Sequence, residues 1–370
     1  MSDLLDATLA HLRALVAFDT RNPPRAIDSG GIFAYLRDQL PGFECKITEH
    51  GAGAVSLLAV RGNPKVLFNV HLDTVPDSPQ WSANPFVLRV DGDCAVGLGA
   101  CDIKGAAAAL VAAAAQTHGD AAFLFSSDEE GNDARCVRAF LSSAHSAEDQ
   151  AKPSFDAVIV AEPTRCQAVL AHRGISSVSM RFAGRAGHAS REQALCDSAL
   201  HQSARWGARA LDHVETLAHT RFGGLTGLRF NIGRIEGGIK ANVIAPSAEL
   251  RFGFRTLPSM DTEELLRTFR SLAEPEPAEF LETFRGPALP AGDVTQAEEH
   301  RLAARDLADA LDIPVGNAVD FWTEAALFSD AGFTAFVFGP GDIAQAHSSD
   351  EWVALDQLQR YAENIYRILG

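Results

Sequence analysis

The sequence lacks the cysteine pattern of a disulfide-bonded protein or of a cysteine-based zinc site. Only six of its 370 residues are cysteine, and no two of them are spaced as a CxxC pair. Scattered thiols in a chain of this size are typical of proteins kept in a reducing compartment. We therefore expect a cytoplasmic protein without a framework of disulfide bonds.

Long apolar runs are absent as well. The longest is the alanine-rich tract Ala106–Ala115, which is far shorter than the roughly 20 residues that a membrane-spanning helix requires. The first residues include Asp3 and Asp6 where a signal peptide would carry basic residues. We therefore expect an amphipathic helix at this end of the chain and no export signal.

Basic residues are outnumbered by acidic ones. The chain contains 32 Lys and Arg against 48 Asp and Glu, which gives a formal net charge of −16. Nucleic acids and anionic membranes bind positive surfaces, so this balance argues against either partner. A chain of 370 residues is longer than one ordinary hydrophobic core accommodates, which predicts two domains.

Short apolar runs alternate with helical stretches in the first half of the chain. The runs at Lys65–Val70, Ala121–Phe125 and Phe155–Ala161 predict buried strands, and the alanine-rich segment 104–117 predicts a helix. A further run at Phe333–Phe338 predicts another strand near the end of the chain. This alternation indicates an α/β domain with a mostly parallel sheet.

The hydrophobic period changes between about residues 175 and 284. Apolar and polar residues alternate along 177–182 and 248–255, which is typical of antiparallel strands with one exposed face. Two helical stretches, Ala194–Leu217 and Thr262–Leu272, lie in the same span. We predict a small α+β domain inserted at residues 175–284, within a catalytic domain made of residues 1–174 and 285–370.

Side chains that can bind metal ions follow four of the predicted strands or their loops. In α/β proteins the carboxyl ends of the strands border one crevice, so ligands from separate strands meet there. Imidazole and carboxylate ligands together suit zinc, cobalt or manganese. The candidates are His71 after VLFNV, Glu129 and Glu130 after AAFLFSSD, Glu162 after FDAVIVA, and His347 after FTAFVFGPGDIAQA.

His71 and Asp73 form the most informative pair of this set. Side chains two residues apart at the end of a strand can face the same way. A metal-binding imidazole usually donates its other N–H to a carboxylate, which fixes the tautomer and raises the basicity of the ligand. The pair therefore predicts a metal ligand, His71, with Asp73 as its partner; a polar turn after the strand is the alternative.

A glycine turn carries the next candidate, Asp102. Gly97 and Gly99 precede it in GLGACDIKG, and they match part of a dinucleotide-binding fingerprint. Asp102 occupies the place of the third glycine, where its carboxylate would repel a pyrophosphate at the start of the helix. A helix-capping aspartate is a second alternative. We favour a carboxylate that bridges two cations.

Glu129 and Glu130 are adjacent, which suggests a division of labour. Beside a pair of metal ions, one carboxylate can act as a ligand while the other takes a proton from water. A solvated acidic loop is the alternative, although the position after a buried strand disfavours it. The residues alone do not decide which glutamate has which role.

Six motifs occur together along the chain, namely NVHLD, GLGACDIKG, SSDEEGN, VIVAEPT, GRAGHAS and FGPGDIAQAHSSDE. In this order they resemble the aminoacylase, acetylornithine deacetylase and succinyl-diaminopimelate desuccinylase family of dinuclear metallohydrolases. The resemblance covers nearly the whole chain. It implies a metallopeptidase-type catalytic domain, two divalent metal ions, and an inserted α+β lid domain through which two copies form a homodimer.

The resemblance also implies a role for each candidate. Glu129 is the general acid and base, and Asp73 orients the metal-binding His71. His188 reaches the active site of the partner subunit and stabilises the oxyanion. One metal ion is held by His71, Asp102 and Glu162, and the other by Asp102, Glu130 and His347. Polar groups of the substrate are held by Asn242 and by Arg255, whose planar guanidinium group suits a carboxylate.

The expected reaction is hydrolysis of an N-acetyl amino acid of arginine biosynthesis, N-acetylornithine or N-acetylcitrulline, to acetate and the free amino acid. Succinyl-diaminopimelate desuccinylase, dipeptidase and aminoacylase activities are the alternatives within the family. Relatives often carry an aspartate where Glu324 stands. The longer side chain of Glu324 is expected to alter the edge of the substrate pocket.

Two interpretations from other classes stay open. A non-catalytic homologue that binds a metabolite is disfavoured because all five ligands and the proton shuttle are present. A nucleotide-dependent oxidoreductase built on the Gly97-x-Gly99 turn is disfavoured by Asp102. A serine hydrolase is disfavoured too, because no G-x-S-x-G motif occurs in the sequence.

Overall fold

Two units divide the chain in the computed structural model, which describes residues 2–25, 27–131, 133–144 and 155–370. The first unit consists of Met1–Leu170, His300–Asn317 and Thr323–Gly370, and the second of Ala171–Glu299 and Ala318–Trp322. The second unit contains the whole predicted insertion, residues 175–284, and extends beyond it. The role of this insertion as a lid and dimerisation domain stays a prediction.

Strands and helices are numbered in chain order. The strands are β1 (Glu44–Glu49), β2 (Val55–Arg61), β3 (Val66–His71), β4 (Arg89–Asp91), β5 (Cys94–Val96), β6 (Ala121–Ser126), β7 (Ala157–Val160), β8 (Ile175–Ala183), β9 (Arg221–Phe222), β10 (Leu225–Thr226), β11 (Arg229–Gly237), β12 (Ser247–Arg255), β13 (Glu279–Gly286), β14 (Thr334–Val337) and β15 (Trp352–Ala354). The α-helices are α1 (Ser2–Val16), α2 (Gly31–Asp38), α3 (Gly105–Ala115), α4 (Arg135–Ala144), α5 (Ala194–Asp197), α6 (Ala199–Thr216), α7 (Thr262–Ser271), α8 (Val294–Ala310), α9 (Ala325–Asp330) and α10 (Leu355–Leu369).

A six-stranded sheet in the order β1-β2-β6-β3-β7-β14 forms the centre of the first unit. The neighbouring pairs β6-β3, β3-β7 and β7-β14 are parallel, whereas β1-β2 and β2-β6 are antiparallel. Strands β6 and β7 are buried along their whole length, as expected for parallel strands covered on both faces. The predicted α/β fold with a mostly parallel sheet is confirmed.

The alanine-rich helix α3 is buried on every side and belongs to the same hydrophobic core as residues of the sheet, among them Phe68 and Phe123. A helix that is apolar all round is stable only when other elements surround it, and α1 and α10 pack against α3. Alanine side chains are short, so these helices approach closely. Among the described residues, no helix has the length and hydropathy to cross a membrane.

The second unit contains a four-stranded antiparallel sheet in the order β11-β12-β8-β13. Alternate residues of β8 and β12 are buried, which confirms the period-two pattern of the sequence. Their buried face packs with Trp206 of α6 and Phe269 of α7 in one aromatic cluster. The predicted helix 194–217 is divided into α5 and α6, because Ser198 has an extended backbone and its side chain accepts a hydrogen bond from His201 N.

We expect the contact between α10 and α3 to contribute strongly to the stability of the first unit. Leu358 of α10 is 0% exposed, and its Cδ2 would lie 3.0 Å from a Cβ atom added at Gly105. Leu358→Ala should therefore lower the free energy of unfolding by about 2–5 kcal/mol, because the lost methyl groups leave a cavity.

Urea unfolding of the chelator-treated protein measures this loss. Leu302→Ala is the matched control, since the Leu302 side chain of α8 is 46% exposed and its removal should change the free energy by about 0.5 kcal/mol or less. Equal losses in the two variants would contradict the inferred packing.

Candidate metal centre

Five candidate ligands lie together at the carboxyl ends of β3, β6 and β7 or in the loops near them, all in the first unit. They form two groups, and within each group the ligand atoms lie within 4.8 Å of one another. Asp102 belongs to both groups, which is the arrangement expected of a carboxylate that bridges two cations. The groups are His71, Asp102 and Glu162, and Asp102, Glu130 and His347.

His71 ends β3 and is 2% exposed. Its Nε2 lies 3.2 Å from Asp102 Oδ1 and 3.7 Å from Glu162 Oε1. The other ring nitrogen, Nδ1, lies 3.0 Å from the Asp73 carbonyl oxygen and 3.6 Å from Asp73 Oδ1. The imidazole is thus oriented by Asp73 on one side, and its Nε2 faces the carboxylates on the other.

The Asp73 carboxylate has a further role that the sequence did not indicate. It accepts hydrogen bonds from the backbone N–H groups of Glu129 at 3.3 Å and Glu130 at 3.0 Å. The Asn22 side chain donates a third, at 2.8 Å. Asp73 therefore connects the end of β3 to the acidic loop after β6. These hydrogen bonds fix the backbone positions of Glu129 and Glu130.

Asp102 lies in a turn that opens α3. Its backbone, with φ −122° and ψ 85°, is not helical, and α3 begins three residues later, at Gly105. The carboxylate faces two histidines, with Oδ1 at 3.2 Å from His71 Nε2 and Oδ2 at 3.1 Å from His347 Nε2. The alternative in which Asp102 caps the helix is wrong, because the helix begins too far along the chain.

His347 completes the second group from the loop after β14. Its Nε2 lies 2.8 Å from Glu130 Oε1, and about half of its side chain is exposed. Hydrogen bonds with Asp102 and then Glu130 raise the pKa of His347 to about 11. Burial alone would lower the pKa of His71, but its bonds with Asp102 and Asp73 hold that pKa well above the ordinary value.

Several of the carboxyl groups repel one another at this site. Burial, reinforced by neighbouring carboxylates, raises the pKa of Glu129 and Glu162 well above the usual range. Burial acts against ionisation of Asp102 too, but its bonds with His347 and His71 lower its pKa. Crowded buried carboxylates are costly without cations, and imidazole with carboxylate is a suitable ligand set for zinc or cobalt. The residues present therefore fit two divalent ions.

Glu324 is buried and contacts the strand that carries His71, and its effect on the edge of the substrate pocket stays a prediction. It is 1% exposed, and its Oε2 accepts a hydrogen bond from Asn69 Nδ2 at 2.8 Å. Asn69 lies two residues before His71 on β3, so the two side chains share a face of the strand. Burial raises the pKa of Glu324 to about 8.

The remaining predicted residues belong to the second unit. His188 pairs with Val243 in an isolated β-bridge, and the Asn242 carbonyl accepts from Ala189 N at 3.1 Å. The structure thus places His188 and Asn242 side by side. The ring of His188 is exposed, and its Nδ1 lies 2.7 Å from Ser190 Oγ.

Arg255 ends β12 and lines a cavity of about 730 Å³ on the sheet of the second unit. Arg229 and Arg251 line the same cavity and pair with Asp320 and Glu249. Arg255 forms no ion pair with any residue that the structure describes, and burial lowers its pKa. Its guanidinium group is therefore an available partner for an anion in this cavity.

The sequence did not single out two buried charged residues near Asp102. Lys104 is fully buried, donates to the Phe18 carbonyl at 3.0 Å and has a pKa lowered by burial to about 8. Glu351 is 1% exposed and accepts hydrogen bonds from the turn of Asp102. Glu351 lies only four residues after the candidate ligand His347, and this closeness could have marked it as a residue near the site. Its contacts with the turn of Asp102 could not be predicted from that spacing.

Known proteins resemble this chain in sequence and in structure. The sequence model of peptidase family M20/M25/M40 matches residues 67–370. N-acetyl-L-citrulline deacetylase of Xanthomonas campestris pv. campestris is 70% identical over 371 residues, which cover 100% of this chain and 99% of that protein. Acetylornithine deacetylase of Myxococcus xanthus is 33% identical, with 97% and 96% of the two chains covered.

Solved structures share the fold at lower identity. Aminopeptidase PepT of Bacillus cereus has a TM-score of 0.72 at 17% identity, with 99% and 98% of the two chains covered. The Bacillus subtilis protein YXEP, described as a dinuclear metal binding peptidase of the M20 family, has a TM-score of 0.64 at 15% identity, with 100% and 98% covered. At these identities the likeness concerns the fold alone.

We expect the metal-free protein to release protons when it binds metal ions at pH 7. A histidine with a pKa near 11 is protonated at that pH, and an imidazolium cannot act as a ligand. Binding should therefore strengthen as the pH rises, with about one proton released by His347.

Calorimetric titration with Co²⁺ in two buffers of different protonation enthalpy counts the protons. His347→Ala should release about one proton fewer per chain than the unaltered protein. His201→Ala, which removes a histidine of α6 in the second unit, is the control. Equal proton counts for His347→Ala and the unaltered protein would show that His347 does not titrate on binding.

Proposed function

The chain belongs to peptidase family M20/M25/M40, and on this basis we propose that it is a two-metal amidohydrolase that deacetylates an N-acetyl amino acid. This membership confirms the resemblance that the six motifs indicated. The proposed substrates are N-acetylcitrulline and N-acetylornithine, intermediates of arginine biosynthesis, and the products are acetate and the free amino acid. The 70% identity to an N-acetyl-L-citrulline deacetylase over the full length favours acetylcitrulline.

The observation that carries the chemical part of this proposal is the pair of ligand groups that share Asp102. His71, Asp102 and Glu162 would hold one ion, and Asp102, Glu130 and His347 would hold the other. Zinc or cobalt suits this set, and manganese is a third candidate. When bound, the ions supply Lewis-acid chemistry, which lowers the pKa of water and polarises the scissile carbonyl.

Glu129 is the proposed general base and acid. It belongs to neither ligand group, although its backbone is fixed beside Glu130 by Asp73. Burial holds its pKa well above that of an ordinary glutamate, so the carboxyl group keeps a proton more readily, as a group that must both take and give a proton requires. In this role Glu129 takes a proton from water and then gives it to the nitrogen of the leaving amine.

The second unit supplies the proposed contacts to substrate. His188, whose ring is exposed, donates a hydrogen bond to the oxyanion in the partner subunit of a homodimer. Asn242, next to the bridge formed by His188, holds a polar group of the substrate. Arg255 binds the substrate carboxylate, an assignment supported by its lack of an ion pair within the described part of the chain and by its position in a cavity.

We also propose that the protein is cytoplasmic. The family resemblance suggests a biosynthetic enzyme, and the six cysteines are all free thiols, three of them buried. Desuccinylase, dipeptidase and aminoacylase activities are the other outcomes that a substrate panel can give. A non-catalytic role has less support, because the ligand groups and the proton carrier are present together.

Side-by-side assays test the substrate. With Co²⁺ or Zn²⁺ added, the protein should hydrolyse N-acetylcitrulline with the highest kcat/KM, followed by N-acetylornithine, and N-succinyl-diaminopimelate and dipeptides should be poor substrates. The two acetylated amino acids differ by the charge of the side chain, so their ratio measures specificity directly. Preference for the succinylated substrate or for a dipeptide would overturn the deacetylase assignment.

Replacement of Glu129 tests the proposed roles of the two glutamates, proton transfer for Glu129 and metal binding for Glu130. Glu129→Gln keeps the shape of the side chain but cannot accept the proton, so kcat should fall by about 10²–10⁴-fold while two Co²⁺ ions per chain remain bound. Glu130→Gln should weaken metal binding instead, because Glu130 is in a ligand group. Assays of turnover and of metal content on the same samples compare them; an active Glu129→Gln enzyme would show that another group carries the proton.

A further inference from the structure

Glu351 is a buried carboxylate that accepts three hydrogen bonds from one backbone turn. Its Oε2 accepts from Gly99 N at 2.9 Å, and its Oε1 accepts from Cys101 N at 2.8 Å and from Asp102 N at 2.9 Å. The side chain is 1% exposed, so water does not compete for these bonds. Both carboxylate oxygens of Glu351 therefore bind the backbone of the turn that carries Asp102, the candidate ligand that the two groups share.

Strand pairing brings Glu351 to this turn. Trp352 of β15 pairs with Val96 of β5, and Gly97 N donates to the Glu351 carbonyl at 3.0 Å. The turn leaves β5 at this point, and Gly99 enters it with φ +78°, a conformation that favours glycine. The backbone N–H groups converge on one side of the turn, where an anionic acceptor is favourable.

The N–H group of Asp102 donates to the side chain of Glu351, because Asp102 is not part of a regular helix. Its φ and ψ are non-helical, and its N–H group is bonded to Glu351. Rotation of the turn would carry the Asp102 carboxylate away from His71 and His347, whose ring nitrogens lie 3.2 and 3.1 Å from its two oxygens. The direction of this carboxylate is thus coupled to the position of Glu351.

Glu351 is also coupled to His347 through the chain, since only three residues separate them. One of the three, Asp350, accepts hydrogen bonds from the Ser82 hydroxyl and from Arg89. The segment between His347 and Glu351 is therefore held by Ser82 and Arg89 at Asp350, and by the turn of Asp102 at Glu351. A displacement of Glu351 would affect both the segment of His347 and the turn of Asp102.

We propose that Glu351 is a positioning residue that directs the Asp102 carboxylate toward both metal ions by holding the Gly99, Cys101 and Asp102 N–H groups. It acts through Asp102 and is not itself a ligand, because it belongs to neither ligand group. The inference rests on the proposed two-metal function. Since Asp102 is in both groups, loss of this support weakens binding of both ions.

Two substitutions separate positioning from a simple effect of charge. Glu351→Gln removes the negative charge and places an amide NH₂ against backbone donors, whereas Glu351→Asp keeps the charge but withdraws the carboxylate by one methylene. If the hydrogen bonds are what matters, both variants bind Co²⁺ about 10–100-fold more weakly, the range found when groups that support metal ligands are removed. The visible absorption spectrum of bound Co²⁺ should change as well, because it reports ligand geometry.

Glu363→Gln is the matched control. It makes the same chemical change on α10, where Glu363 accepts a hydrogen bond from Gln359, and it should leave the Co²⁺ affinity and spectrum unchanged. The experiment is a calorimetric and spectroscopic titration of each metal-free, full-length variant with Co²⁺. A thermal melt of each metal-free sample accompanies the titration.

The outcomes are distinct. Failure of the unaltered protein to bind two Co²⁺ ions per chain would overturn the proposed function itself. With the unaltered protein binding two ions, an unchanged affinity in Glu351→Gln would overturn the positioning role alone. So would full affinity in Glu351→Asp beside a weak Glu351→Gln, which would indicate charge acting through space. Loss of a cooperative melt in both variants would assign Glu351 to folding and would likewise overturn it.

Discussion

The repulsion among buried carboxylates at the strand ends is the constraint on which the rest of this structure depends. Asp102 is held between two imidazoles, and Glu129 and Glu162 have pKa values well above the usual range because burial and neighbouring negative charges disfavour their ionised forms. Ionising such a cluster is costly unless positive charge lies close to the carboxylates. The same crowding disfavours ionisation of the buried carboxyl groups and favours divalent cations as their partners.

The fold holds this cluster mainly with backbone donors. Asp73 accepts the N–H groups of Glu129 and Glu130, and Glu351 accepts those of the turn of Asp102. In both cases a buried carboxylate fixes a loop, and the loop presents a different carboxylate to the site. Asp73 and Glu351 thus help to fix the positions of candidate ligands through the backbone.

The two units have separate tasks in this proposal. The first contains both ligand groups, and the second contains His188, Asn242 and Arg255. One fold can accompany different activities, since an aminopeptidase matches this structure with a TM-score of 0.72. Under the proposed function, the chemistry common to the family belongs to the metal centre, and the choice of substrate is assigned to particular side chains, among them those of the second unit.

The sequence by itself determined the parallel sheet, the antiparallel sheet, and the residue types available at the strand ends, because the hydrophobic period and the length of an apolar run are local properties of segments such as β3, α3 and β12. Tertiary structure decided what is not local: that Asp102 faces both His71 and His347, and that Glu324 is buried and contacts the strand that carries His71. It also decided that Glu351 supports the turn, through pairing of β15 with β5 across more than 250 residues of chain. Spacing along a chain fixes which groups can be near one another within a strand or turn, and only long-range packing fixes which groups meet.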